Sequence, residues 1–270
     1  MIRVLFILLL AFFLHPVKAQ ELFVYSEPAS NMPSKTIGIR AGSTVMTDKN
    51  PVHNTIMFTP EIMYGFSRDF MLHAEGFFTD FNKSFAFNGG ALYAKCRLIS
   101  MDDVHSHVRM SAFTRVAMNK NPIHQEAIDL NGYNSGYEAG IVQTILRNRV
   151  ALSSGLSFLY ATDNLDNKFI YGDRRRAAVS YNFSFGKLLI PKEYISYKQL
   201  NINGMLEVLG QSNINTKKNF MDLAPSLQFI IQSKMRIDLG YRFPIINDLS
   251  RTMPRNFLIR IEYNFFNAVE

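Results

Sequence analysis

The sequence predicts an all-β fold, a twelve-stranded antiparallel transmembrane β-barrel with the connectivity of an up-and-down meander. Three observations predict it. Apolar and polar residues alternate along most of the chain, the alternating segments are about ten residues long or somewhat longer, and short connections take turns with long ones. A membrane-spanning strand needs about 9 to 11 residues, whereas strands of soluble proteins average about 5 to 6.

The candidate strands cover residues 35–266, and almost every one of them has a continuous apolar face. They lie at 35–46, 55–66, 69–81, 85–99, 106–119, 133–146, 149–162, 175–190, 198–210, 219–232, 235–245 and 255–266. The fourth strand is the exception, because Phe85 and Phe87 place the apolar face on one side while Leu92 and Leu98 place it on the other.

The connections alternate in length along the chain. Those after even-numbered strands are tight, as at residues 67–69, 147–148 and 232–234. Those after odd-numbered strands are longer, as at 47–54, 120–132, 162–173, 211–218 and 246–254. Two connections break the rule, a short one at 81–85 and a long one at 190–198. Short turns at one end and long loops at the other are typical of single-chain membrane barrels.

The N-terminus has the features of a cleavable signal peptide. Arg3 supplies a positive charge, residues 4–14 are apolar, and Val17-Lys18-Ala19 forms a cleavage site before Gln20. The apolar run is too short for a spanning helix, which needs about 18 residues. No later run approaches that length. Strands are therefore the elements that would cross a membrane.

The last strand closes the predicted barrel. Its apolar face ends in Tyr263-x-Phe265, and its other face carries Arg260 and Glu262. This pattern resembles the closing strand of bacterial outer-membrane β-barrel proteins, among them porins and small-solute transporters. The resemblance is one of architecture and covers the whole mature chain. It implies an outer-membrane location and two kinds of partner, outer-membrane lipids and the barrel-assembly machinery, which recognises a C-terminal aromatic strand in that family.

Four regions follow from this interpretation. Residues 1–19 are the signal peptide, 20–34 a periplasmic lead-in segment, 35–266 the barrel and 267–270 a C-terminal tail. A short luminal insert is the alternative for residues 20–34. Pairing of the last strand with the first would bring Arg40 close to Arg260 and Glu262.

With the apolar faces against lipid, the polar faces line the lumen, where basic residues outnumber acidic ones and favour anions. The residues predicted to set selectivity are Glu61, His73, Glu75, Arg97, Arg109, Arg115, Glu138, Arg174, Arg176, Arg242, Arg260 and Glu262. Glu61 and Glu75 would lie on one wall, with Arg97, Arg109 and Arg115 on the other. The sequence therefore predicts a narrow pore or transporter for a small hydrophilic solute, including an anionic one.

Three alternatives remain open. The charges could pair across strands and seal the lumen, which predicts a structural or partner-docking barrel. A hydrolase would use acid/base groups in the outer loops, and the candidates are Asp48, His53, His124, Glu126 and Asp129. A soluble all-β binding protein would turn the apolar faces inward and bury charged residues such as Arg109.

Other classes of function have little support. Cys96 is the only cysteine, so an intrachain disulfide is excluded. The net charge of +7 is scattered, without the basic block of a nucleic-acid binder. No motif predicts a cofactor or catalysis. The weak candidates for a metal site are Asp102, Asp103, His105 and His107.

Overall fold

The computed structural model of the chain describes residues 23–47, 55–81, 84–103, 106–191 and 198–268. These residues form a closed barrel in which each strand pairs antiparallel with its sequence neighbours and the last strand pairs with the first. The strands are β1 (Ile37–Met46), β2 (Ile56–Gly65), β3 (Phe70–Thr79), β4 (Ala86–Asp102), β5 (Ser106–Asn119), β6 (Gly136–Arg147), β7 (Val150–Ala161), β8 (Ala177–Ile190), β9 (Leu200–Asn213), β10 (Asn219–Ile231), β11 (Met235–Asn247) and β12 (Asn256–Phe265).

The predicted fold class is confirmed, and each predicted strand boundary lies within three residues of the observed one. The connections alternate in length as predicted, including the exceptions between β3 and β4 and between β8 and β9. The predicted signal peptide lies outside the described residues, as do Asp48, His53 and His105. The described residues contain no helix that is long and apolar enough to span a membrane.

The outer surface of the barrel is apolar. On β12, Ile259, Ile261, Tyr263 and Phe265 are each 40% or more exposed, while Glu262 and Asn264 between them are buried. The same alternation recurs on the other strands because successive side chains of a strand point to opposite faces. A broad surface of exposed leucine, isoleucine and phenylalanine side chains is unstable in water and is the surface that lipid covers.

The conflict in the fourth strand is resolved by a β-bulge. Gly89 pairs with Phe77 while Phe87 pairs with Phe78, so Asn88 is an extra residue that has no residue of β3 opposite it in the register. A bulge shifts the alternation by one residue. In a regular strand Phe87 and Leu92 would point to opposite faces, because an even number of residues lies between them. The bulge allows both side chains to be exposed.

The barrel closes as the sequence predicts. Arg40 lies directly opposite Glu262 across the seam between β1 and β12, and Gly42 lies opposite Arg260. Because the side-chain period of a strand is two residues, a register shift of one would turn the apolar face of one of the two strands inward. This register instead keeps Ile39 and Tyr263 on the outer surface.

Two segments outside the strands fill the interior of the barrel, one near each end. Residues 23–34 form the luminal segment, which crosses the bore in contact with β4, β5, β6 and β9. The expectation that this segment is periplasmic is wrong for residues 23–31, and the luminal alternative describes them. Near the other end, the long connection between β5 and β6 turns inward and buries Ile123, Ile128 and Leu130 against the wall.

Candidate functional site

A polar cavity of about 350 Å³ lies inside the barrel. Its floor is formed by residues 24–27 of the luminal segment and its roof by residues 127–131 of the β5–β6 loop. Its walls carry arginine and carboxylate side chains from the strands between them. The charged side chains that line the cavity are Glu27, Arg40, Glu61, Glu75, Arg115, Asp129, Glu138, Arg242, Arg251 and Arg260.

Glu207 on β9 holds the luminal segment in place. Its carboxylate accepts the backbone N–H groups of Val24, Tyr25 and Ser26 at 2.9, 2.8 and 2.9 Å. The hydroxyl of Ser26 donates a further bond of 2.7 Å to the same carboxylate, and Ser184 on β8 donates one of 3.1 Å. Glu207 is completely buried. It therefore serves as an acceptor for three successive N–H groups that strand pairing leaves free.

The opposite wall holds the next part of the segment. The Lys95 ammonium donates to the carbonyls of Pro28 and Ser30 at 2.8 and 2.9 Å. The hydroxyl of Thr144 on β6 accepts the N–H of Ala29, and the hydroxyl of Ser111 on β5 donates to the Ala29 carbonyl. The segment thus has polar contacts with strands on both sides of the bore.

Glu27 projects from the segment towards Arg40. The two side chains form an ion pair of 2.9 Å, and the Lys95 ammonium lies 3.8 Å from the Glu27 carboxylate. Burial alone would raise the pKa of this carboxyl, but the charges of Arg40 and Lys95 outweigh burial and hold the pKa well below its usual range. Glu27 is therefore ionised at neutral pH.

Glycines of the barrel wall make room for the segment. A side chain at Gly240 on β11 would lie 2.7 Å from the ring of Tyr25, and one at Gly65 on β2 would overlap the carbonyl of Pro33. Both contacts are too close for any Cβ atom. Gly65 is required because the backbone of the segment approaches the wall there, whereas Gly240 leaves room for the ring of Tyr25.

Charged residues form a row across five consecutive strands at one level of the lumen. Strand register places Arg236, Glu262, Arg40, Glu61 and Glu75 directly opposite one another in that order. The contacts Arg236–Glu262, Glu262–Arg40 and Arg40–Glu61 each measure 2.9 Å. The row alternates in charge until its last step, where two carboxylates face each other.

Two further clusters complete the wall. Arg115 on β5 contacts Glu75 at 3.0 Å and Glu138 at 3.9 Å, and it also bonds to Asn131 of the roof. The second cluster surrounds Asp222 on β10, which accepts bonds from Arg242 at 2.6 Å and from Arg251 at 2.5 Å. Arg251 belongs to the β11–β12 loop. Both clusters therefore join the strands to the loops that cover the cavity.

The structure brings together eight of the predicted lumen residues within the charged row and the clusters next to it. They are Glu61, His73, Glu75, Arg115, Glu138, Arg242, Arg260 and Glu262. Glu75 and Arg115, which were expected on opposite walls, are directly paired.

The remaining predicted residues lie elsewhere. Arg97 pairs with Asp69, and Arg109 contacts Asp102 and Ser30, so both lie towards the short-turn end rather than at the cavity. Arg174 and Arg176 do not line the lumen, because β8 begins at Ala177 and a 3-10 turn precedes it. Arg176 pairs with Asp163 and Asp173 in the long loop between β7 and β8.

Glu27 and Arg251 line the cavity but were missed by sequence reasoning, because one was assigned to a periplasmic segment and the other to an outer loop. The charge balance of the predicted lumen contained a signal for an additional carboxylate such as Glu27. Basic residues outnumber acidic ones on the predicted inner face, and unpaired buried charge is costly. Negative charge from a chain segment outside the strands was therefore needed.

The predicted metal and catalytic candidates do not form a site among the residues that the structure describes. The carboxylate of Asp102 forms an ion pair with Arg109 at 2.8 Å and a hydrogen bond with His107 at 3.0 Å. Glu126 pairs with Lys218 and Arg175, and Asp129 accepts the N–H of Asn131. His124 is exposed.

No protein-family model matches the sequence, and no curated protein sequence is significantly similar to it. Solved barrels are similar in structure. The NanC porin is 12% identical with a TM-score of 0.49, covering 85% of this chain and 98% of that one. Outer membrane phospholipase A from Escherichia coli is 10% identical with a TM-score of 0.45, covering 94% and 96%. Salmonella typhi OmpF is 9% identical with a TM-score of 0.36, covering 85% and 97%. At these values the similarities concern the barrel fold alone.

Proposed function

We propose that the protein is a bacterial outer-membrane barrel through which a small hydrophilic solute passes by way of the internal cavity, with the luminal segment as its gate. The observation that carries the proposal is the cavity of about 350 Å³ between the segment and the β5–β6 loop. Its volume falls at the lower end of the range of about 300 to 1,000 Å³ that is typical of small-molecule sites.

The location in the outer membrane is supported by the surface. A closed barrel with an apolar exterior pairs the backbone of each strand with both neighbours and leaves no open sheet edge, which is the condition for crossing lipid with strands. The predicted signal peptide would bring the chain to the envelope. Outer-membrane lipids and the barrel-assembly machinery are then its partners during insertion, and the closing strand β12 carries the aromatic signal.

The lining of the cavity indicates the class of solute. Among the described residues it has five arginines and five carboxylates, so the basic excess that favoured anions is absent there. Paired groups of both signs suit a small solute that carries both charges or several hydroxyl groups. We therefore propose a zwitterionic or polyhydroxylated solute rather than a simple anion.

The luminal segment is the element best suited to move. The strands are joined by continuous hydrogen-bond ladders around the barrel, and separating them would break many bonds at once. The segment is held by side-chain bonds from Glu207, Lys95, Thr144 and Ser111. Those bonds can be exchanged for bonds to water one after another.

A sealed structural barrel is the second candidate. It is favoured by the direct pairing of Arg40 with Glu27, Glu61 and Glu262. These three carboxylates neutralise the guanidinium, so its charge is not available to a solute. In such a barrel the cavity would be a void between two fixed layers, and the loops would be the functional surface.

A disulfide that locks the segment distinguishes the two candidates. The hydroxyls of Ser26 and Ser184 lie 2.8 Å apart, so cysteines at both positions are close enough to be joined. We expect the variant Ser26→Cys/Ser184→Cys, in a Cys96→Ser background, to conduct in planar bilayers when reduced. Oxidation should abolish the current, because the segment can no longer leave the bore.

The matched controls are the two single-cysteine variants under the same oxidant, which should keep their current. If the oxidised double variant conducts as well as the reduced one, the segment is not the gate. If neither the wild type nor any variant conducts, passage of solute is disproved and the sealed barrel stands.

A further inference from the structure

We propose that Glu61, His73 and Glu75 form a binding site for a divalent transition-metal ion of the zinc class in the wall of the barrel. One ligand atom from each of the three residues lies within 4.8 Å of the other two. Among the residues that the structure describes, this is the one group of three such side chains that lie so close together. The site spans the adjacent strands β2 and β3 and borders the cavity.

Strand register creates an unusual arrangement at this point. Glu61 and Glu75 are directly opposite each other, and like charges in that position destabilise a sheet. Every other step of the charged row alternates in sign. A divalent cation between the two carboxylates would restore the alternation, since its charge equals that of both groups together.

The two arginines next to the site orient the carboxylates without covering the proposed ligand atoms. Arg40 bonds to Oε2 of Glu61 at 2.9 Å, and Arg115 bonds to Oε2 of Glu75 at 3.0 Å. Oε1 of Glu61 remains free of a hydrogen-bond partner and faces Nδ1 of His73. Outer hydrogen bonds that fix ligand orientation in this way are typical of metal sites.

His73 supplies the second observation that points to a ligand. The imidazole is 2% exposed, and its Nε2 atom has no hydrogen-bond partner. Its Nδ1 atom is in direct contact with Oε1 of Glu61. Nδ1 is therefore the imidazole nitrogen that would coordinate a metal ion beside the carboxylates, and Oε1 of Glu61 is a buried polar atom whose missing partner a cation would supply.

The donor set selects the class of metal. One imidazole and two carboxylates suit zinc and neighbouring first-row divalent ions, while the absence of thiolate among the three disfavours copper(I). Zinc binds nitrogen and oxygen ligands at about 2.0 to 2.2 Å, and small rotations of these side chains would bring them to that distance. Water from the cavity would supply a fourth ligand.

Binding of zinc ions to the purified protein in detergent tests the site. We expect one ion per barrel by equilibrium dialysis, and cobalt(II) in its place should give the visible absorption of a four-coordinate site. The variants His73→Gln and Glu75→Gln should each weaken binding more than about tenfold, because loss of even an outer hydrogen-bond partner costs 10- to 100-fold.

Two control variants make the result specific. His124→Gln changes an exposed histidine, and His107→Gln changes the histidine beside Asp102, so both should bind as the wild type does. If His73→Gln fails to fold, Glu75→Gln decides the question. The absence of binding by the wild type, or binding by the His73 and Glu75 variants as tight as that of the wild type, would refute the site. The result does not depend on whether the barrel conducts.

Discussion

Replacement of Arg40 by methionine is expected to destabilise the barrel by about 3 to 5 kcal/mol, the usual cost of removing one partner from a buried ion pair. The guanidinium contacts Glu27, Glu61 and Glu262 at 2.9 Å each and therefore joins the luminal segment, β2 and β12. Without it, the Glu61 carboxylate loses its arginine partner in a buried position. The free energy of unfolding by urea in detergent micelles measures the loss.

The matched control is Arg176→Met, which removes an arginine whose partners Asp163 and Asp173 are exposed. We expect a loss of about 1 kcal/mol or less there, as for other exposed pairs. A second test is Arg40→Met/Glu61→Gln, which removes the orphaned charge and should recover part of the stability. Equal losses in the Arg40 and Arg176 variants would show that the row of charges does not support the barrel.

The exterior of the barrel was predictable because lipid imposes one rule on every strand. Any side chain that faces lipid must be apolar, so period-two alternation appears wherever a strand crosses. The same rule located the seam, since Ile39 and Tyr263 must both face out. The strand boundaries followed from where the alternation stops.

The interior was less predictable because polar side chains can be satisfied in several ways. The sequence placed Arg115 and Glu75 inside the barrel but could not show that they contact each other, since they lie on β5 and β3. Arg174 and Arg176 were misplaced because the 3-10 turn at Asp173–Arg175 delays the start of β8 to Ala177, two residues after the predicted start at residue 175. The position of residues 23–34 inside the barrel could not be predicted either, because these residues carry no periodicity that marks them as luminal.

Replacement of Glu207 by alanine is expected to release the luminal segment. The substitution leaves the N–H groups of Val24, Tyr25 and Ser26 without their acceptor, and each buried N–H without a partner costs about 1 to 3 kcal/mol. The segment can avoid this cost by moving into water, whereas the strands keep their ladder. We therefore expect the barrel to remain folded while its bilayer conductance rises.

Chemical labelling measures the release without relying on conductance. Val24 is 1% exposed, so a cysteine there, in a Cys96→Ser background, should react slowly with a maleimide reagent. Adding Glu207→Ala should accelerate the reaction by at least about tenfold, the effect of a change of about 1.4 kcal/mol in the equilibrium between bound and released segment.

Glu138→Gln is the control for the Glu207 variant. Glu138 also lies inside the barrel, where it accepts a bond from Ser157 and lies 3.9 Å from Arg115, but its described contacts do not include the segment. Its labelling rate should equal that of the parent variant. Because the two carboxylates differ in whether they hold residues 24–26, faster labelling in the Glu207 variant alone would assign the anchoring of the segment to Glu207. Slow labelling in both variants would mean that Lys95 and Thr144 suffice to hold the segment, and the gate would then have to open from that wall.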